Sequence, residues 1–230
     1  LIRAPQTEQV NEIFERVKKI ATGAALMTET TMEVKFDKAC SNLISNRTLE
    51  KVIYETMFEA GPPEFDSTDY EFAQRIRDTL NENEKNFDMN LEVLEKNEEV
   101  LKGIADLRNK QLCDTILPYA PSGKILPGSS DVGDVSWNVP TAQFAVSCSA
   151  FGTPGHSWQM VAQGNTSVAH KGIIKAAEIL GRSAIKLFND HEIIEEAKKE
   201  LNLRLDGRSY KCPIPDDVHP SLPKSNRNIL

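Results

Sequence analysis

The segment Gly152-Thr153-Pro154-Gly155-His156-Ser157-Trp158 brings together residue types that could do chemistry. Two glycines and a proline let a backbone turn sharply and approach a ligand closely. Imidazole is the commonest neutral metal ligand and a good general base. Taken alone, a histidine in a glycine-rich loop is more often hydrogen-bonded or solvated than metal-bound. Ser129-Ser130-Asp131-Val132-Gly133-Asp134 is a second polar cluster. Its carboxylates could bind metal or orient a histidine, although aspartates in such loops more often make Asx-turns. His170 reads as a helix-surface residue, His191 as the first turn of an exposed helix and His219 as part of the tail. HExxH and HxH are both absent, and Glu-Glu pairs occur only at 98–99 and 195–196. No motif in the chain can assemble a three-ligand catalytic zinc site. Trp137 and Trp158 flank the two polar loops and read as structural, though an aromatic wall would suit an aromatic substrate.

The elements that must position these loops follow from periodicity. Residues 1 to 40 read as strand, helix, strand. Leu1 and Ile2 begin an apolar piece that Pro5 ends, and Thr7 offers an N-cap with Glu8 in the first turn. Val10, Ile13, Phe14, Val17, Ile20, Ala21 and Ala24 then give one apolar helical face. Thr30 to Phe36 alternates as a half-buried strand does. Two strands are too few to be stable alone, so this piece needs partners outside the chain. A helix from about Thr48 buries Leu49, Val52, Ile53 and Met57 and stops at Gly61-Pro62-Pro63. Another starts near Ser67, with Phe72, Ile76 and Leu80 as its core stripe. From Asn81 to Lys110 the pattern weakens, with asparagines at 81, 83, 86, 90 and 97 lowering helix propensity. Leu91, Leu94, Leu101, Ile104 and Leu107 still suggest helical packing in part, so the region reads as an insertion.

Leu117 to Val135 reads as loop, Thr141 to Ser149 as a buried strand and Ala150 to Gly164 as loop. Helices are predicted over Ser167 to Leu180, stopping at Gly181, and over Asp190 to Leu201, with an extended tail after Gly207. A strand, a loop and then a helix is the arrangement in which α/β proteins place ligands, which points again to the loop of His156.

The formal charge of −7, from 34 acidic and 27 basic side chains, disfavours broad nucleic-acid binding. Between Asn81 and Val100 seven acids face two lysines, a pattern usual for a solvated helix face. No apolar run approaches the roughly 20 residues needed to span a bilayer, and the start is not a signal peptide. A cytoplasmic protein is the default expectation. Leu1 is no initiator methionine, and the sequence opens as though cut inside a strand. Cys40, Cys113, Cys148 and Cys212 form no CxxC pair and read as small hydrophobes.

Several segments together resemble a known family. Ser130-Asp131-Val132-Gly133-Asp134-Val135-Ser136-Trp137, Val139-Pro140-Thr141-Ala142 and Thr153-Pro154-Gly155-His156-Ser157-Trp158 look like the aminobenzoyl-glutamate utilisation protein B group. That group belongs to the cocatalytic-metal aminoacylase and carboxypeptidase amidohydrolases. Leu1-Ile2-Arg3-Ala4-Pro5 and Ile20-Ala21-Thr22-Gly23-Ala24-Ala25 resemble its lid, or dimerisation, domain. The resemblance implies an α/β fold: residues 1–40 as the last part of a ferredoxin-like lid, and residues 41–230 as the C-terminal half of a metallopeptidase-type catalytic domain.

The implied activity is hydrolysis of an amide bond next to a free carboxylate, as in p-aminobenzoyl-glutamate or a dipeptide. Two divalent ions, Zn or Mn, would activate water. By the same resemblance His156 is a metal ligand, and Arg3 binds the substrate carboxylate. Gly152 and Gly155 allow main-chain contact with substrate, and Asp131 lies in a supporting loop. The segment carrying the other ligands and the catalytic acid/base is absent, so no catalytic residue is assigned here and the chain alone should be inactive. The implied partners are the missing N-terminal half and a second subunit, the same or different, joined through the lid. The alternative is a non-catalytic binding or assembly subunit that keeps the fold.

Overall fold

The computed structural model describes residues 1–85, 97–108, 110–121 and 128–219. Their helices are α1 (Thr7–Met27), α2 (Arg47–Ala60), α3 (Ser67–Arg77), α4 (Glu82–Lys85) and α5 (Glu98–Leu107). After them come α6 (Val132–Ser136), α7 (Trp158–Gln163), α8 (Ser167–Asn189) and α9 (His191–Leu205). Helix accounts for 54% of the described residues, and none of them lies in a strand. This overturns the expected α/β catalytic domain with a ferredoxin-like lid. Residues 30–36 and 141–149, both read as strands, run without any ladder. A strand requires its N–H and C=O groups to pair with a neighbour. Alternating or β-rich sequence supplies the side-chain pattern but not that neighbour.

The chain divides into two compact units. The first joins Leu1–Ser45, Ile125–Val139 and Leu201–Leu230. Its long element is α1, which opens one residue ahead of the expected cap: Gln6 is the N-cap, and its N–H donates to Gln9 Oε1 at 3.1 Å. No side chain of α1 is buried, and Val17, Ile20 and Leu26 are exposed. Phe14 meets Phe36 edge to face at 6.4 Å. The core of this unit is Ile44, Trp137 and Leu201, with Leu205 and Tyr210 against them. Gly133 is required there, because a Cβ would collide with the carbonyl of Ser41.

The second unit joins Asn46–Lys124 and Pro140–Glu200. Helix α2 begins at Asn46, which accepts Leu49 N–H at 3.1 Å and donates from Nδ2 to the Ala197 carbonyl at 2.8 Å. It ends at Gly61, whose φ of 70° suits glycine. That stop is the one expected from Gly61-Pro62-Pro63. Asp66 caps α3 and Asp190 opens α9 through the N–H groups of Glu192 and Ile193. Ile104 and Leu107 of α5 are buried as their spacing suggested, whereas Leu91 and Leu94 lie outside the described residues.

The core holds Ala73, Ile76, Leu112, Ala150 and Val168, flanked by Phe65, Tyr70 and Phe72. Helix α8 packs against α2, and Gly172 lets residues 147–148 cross α8 where a Cβ would strike the Ser147 carbonyl. The expected stop at Gly181 is not observed, because α8 runs on to Asn189. Glycine inside a helix costs about 1 kcal/mol relative to alanine. That cost is too small to end a helix whose next turn buries Ser183. The loops expected at 117–135 and 150–164 also contain short helices, α6 and α7. No helix among the described residues is long and apolar enough to cross a membrane.

Candidate functional site

The loop carrying His156 is held from beneath by one buried amide. Gln163, in the last turn of α7, is 1% exposed. Its Oε1 accepts the N–H of Ala150 at 2.6 Å, while its Nε2 donates to Thr153 Oγ1 and to the Gln159 carbonyl, both at 3.1 Å. Thr153 Oγ1 donates in turn to the Ala150 carbonyl at 2.7 Å. At the far end Ser157 caps α7 by accepting Met160 N–H at 3.2 Å and donating to the Pro154 carbonyl at 2.7 Å. The backbone is therefore tied at 150, 153, 154 and 157.

His156 sits between these ties, exposed, with φ of 59°. Such a φ is uncommon for a residue with a Cβ and is tolerated by histidine more often than by most. Gly152 has φ of 85°, and a Cβ there would also come 3.1 Å from the Glu84 carbonyl. Gly155 is exposed with open space around it. The result is a braced loop presenting one imidazole to solvent.

The first unit holds the other predicted residues. Arg3 is exposed and donates from Nη1 to Ser129 Oγ at 3.0 Å. It lines an open concavity of about 390 Å³ with Ala4, Pro5, Gln9, Glu12, Ile13 and Arg16. Its charged lining residues are Arg3, Arg16 and Glu12. The Arg16–Glu12 pair spans 3.9 Å between exposed side chains, so it is weak.

Asp131 faces solvent before α6, accepting Ser130 Oγ at 3.3 Å. The carboxylate that organises this loop is Asp134 instead. It accepts Ser41 Oγ at 2.6 Å, Ser41 N–H at 3.3 Å and Tyr210 O–H at 3.2 Å. Burial, the neighbouring Cys212 thiol and Asp134 push the Tyr210 hydroxyl up to about 12, so it stays a donor. Beside it the Trp137 indole donates to the Asn42 carbonyl at 2.9 Å, and Ser136 Oγ accepts Ile44 N–H at 2.8 Å. Arg3 and Asp131 thus belong to one unit and His156, Gly152 and Gly155 to the other. Gln163 emerged only from the fold, and Asp134, read in the sequence only as one of two loop carboxylates, gained its organising role from it. Each follows a Gly- or Ser-rich turn, which was the available signal.

The two divalent ions implied by the resemblance are not accommodated by these residues alone. Among the described residues no group of three or more His, Cys, Asp or Glu side chains could hold a metal ion. His156 can offer a single donor.

The chain is similar to a hydrolase subunit. That relative is a subunit of the p-aminobenzoyl-glutamate hydrolase of Escherichia coli (strain K12), 43% identical over 221 residues. The match covers 96% of this chain and 46% of the relative, so the chain spans about half the length of the curated protein it matches. The resemblance read from the sequence thereby extends over almost the whole chain. No protein-family profile and no solved structure matches the chain.

Proposed function

We propose that the chain is part of a longer amidohydrolase that cleaves the amide of p-aminobenzoyl-glutamate or a related N-acyl amino acid or dipeptide. The observation that carries this reading is the 43% identity extending over 96% of the chain. The geometry supports it in each unit. Arg3, which lines that concavity, suits the free carboxylate of such a substrate, since guanidinium pairs with carboxylate in a bidentate fork. The braced loop offers the His156 imidazole and, at the exposed Gly155, main chain open to a ligand, whereas Gly152 sits against Glu84 and Lys85 and is a more enclosed substrate contact. Asp131 lies on the supporting loop beside α6. Metal dependence, with Zn or Mn, requires donors beyond His156, and these belong to the rest of the enzyme. The protein works in the cytoplasm as a homo- or hetero-oligomer.

The test is release of p-aminobenzoate by the intact source protein, measured with and without chelator. Chelation and His156→Ala should each abolish turnover. Arg3→Ala should raise KM about 10- to 100-fold, in line with loss of a charge-assisted bond of about 1.5–3 kcal/mol. The 230-residue chain alone should be inactive. Full turnover after both chelation and His156→Ala would sink the reading. A second reading, a non-catalytic assembly subunit, is favoured by the relative's own designation as a subunit. It requires substrate binding with no hydrolysis by the intact protein.

A further inference from the structure

Helix α8 is apolar on two faces. One is buried: Val168, Ala169, Gly172 and Ile179 lie inside and the helix packs on α2. The other exposes Ile173 (57%), Ile174 (68%), Leu180 (54%), Ile185 (60%) and Phe188 (86%). At 3.6 residues per turn these five fall within a sector of about 140°. No Lys, Arg, Asp or Glu of α8 falls in that sector, and His170 at its N-terminal end is its one titratable group.

The charged side chains run along the flank and are tied to the rest of the unit. Lys171 pairs with Asp66 and Asp69, and Lys175 with the Ala60 carbonyl and Glu178. Arg182 pairs with Glu178 and Lys186 with Glu59. A surface helix ordinarily turns its charges outward and keeps one apolar stripe for the core. Here the charges are drawn aside, and a contiguous apolar face is left over, of the kind that marks an interaction site.

We propose that the outer face of α8 is the docking surface for the remaining polypeptide of the full-length protein, the part corresponding to what this chain does not match in the E. coli relative. The chain covers 46% of that relative, so a protein of that size brings about as much polypeptide again. A charge-free face calls for an apolar, permanently seated partner rather than a charged or transient one. The inference rests on the reading of this chain as part of a hydrolase of the relative's size.

Covalent footprinting of the intact source protein and of the 230-residue chain tests it. Ile174 and Phe188 should be modified in the chain and lose that modification in the intact protein. In the intact protein Ile174→Glu with Phe188→Glu should restore labelling along α8. The same pair in the 230-residue chain should leave its far-UV circular dichroism unchanged, because both positions are exposed there. Three results would overturn the inference. One is full modification of the face in the intact protein; another is an intact protein no heavier than this chain's 25.7 kDa. The third is protection that grows with concentration of the 230-residue chain, which would assign the face to a second copy. Protection without any release of p-aminobenzoate would sink the functional reading and leave the docking surface standing. Hydrolysis with an unprotected face would do the reverse.

Discussion

The two loops that carry candidate site residues are held in opposite ways. The His156 loop hangs on Gln163, a neutral amide buried to 1% exposure. The Ser129–Asp134 loop is gathered by Asp134, a half-buried carboxylate that accepts from Ser41 and Tyr210. In both, the side chain whose chemistry stands out in the sequence, His156 or Asp131, faces solvent. A neighbour of plainer chemistry does the holding. The difference teaches that the presenting residue and the organising residue are separate. A buried neutral hub costs less to desolvate than a buried charge, which is why the more deeply enclosed loop uses glutamine.

Substitutions at the two hubs sharpen that comparison. Gln163→Ala should have the largest effect, because it strands the buried Ala150 N–H and removes the tie at Thr153. A loss of about 3 kcal/mol is expected in urea denaturation. A change below about 0.5 kcal/mol would show that the loop is braced from elsewhere. Asp134→Ala should cost about 2 kcal/mol, since it removes one charged acceptor at a site water can partly reach. If it proved costlier than Gln163→Ala, the ranking of neutral over charged hub would be wrong.

Acid titration separates the units' reliance on charge further. Asp66 and Asp69 both titrate below the ordinary 3.8. The bond from Lys171 is the foremost cause for Asp66. For Asp69 burial pulls upward and the Lys171 bond overrides it. A carboxylate depressed on folding contributes stability above its unfolded value and loses it as pH falls through the folded one. Asp69→Asn should therefore lower the thermal midpoint at pH 7, and the gap from the natural chain should close as pH drops below about 4. A gap independent of pH would remove the ion pair from the account.

The smallest change expected is a gain. Ser183 Oγ is buried in α8 and has no hydrogen-bond partner among the described residues, so Ser183→Ala should add about 1 kcal/mol. A loss there would reveal a partner, such as a water, that the hydroxyl holds.

Local signals were readable because they depend on neighbours in the chain. Gly61-Pro62-Pro63 ends α2, α3 opens at Ser67 and α9 opens just after Asp190 because caps and breakers act over three or four residues. The apolar spacing of Ile104 and Leu107 likewise buried them in α5. Gly181 misled because a weak local preference lost to a helix anchored on both sides of it. The strands read at 30–36 and 141–149 misled for a different reason: pairing depends on a distant partner that no window of sequence contains.

The chain by itself determined the stop at Gly61-Pro62-Pro63, the glycine-rich loop of His156 and the resemblance to a hydrolase subunit, all of which are written in contiguous residues. Only the tertiary structure decided that the fold is helical. It alone set Gln163 under His156 and Asp134 between Ser41 and Tyr210. It also left the outer face of α8 open. Those outcomes turn on contacts between residues far apart in sequence, where desolvation and packing outweigh local propensity.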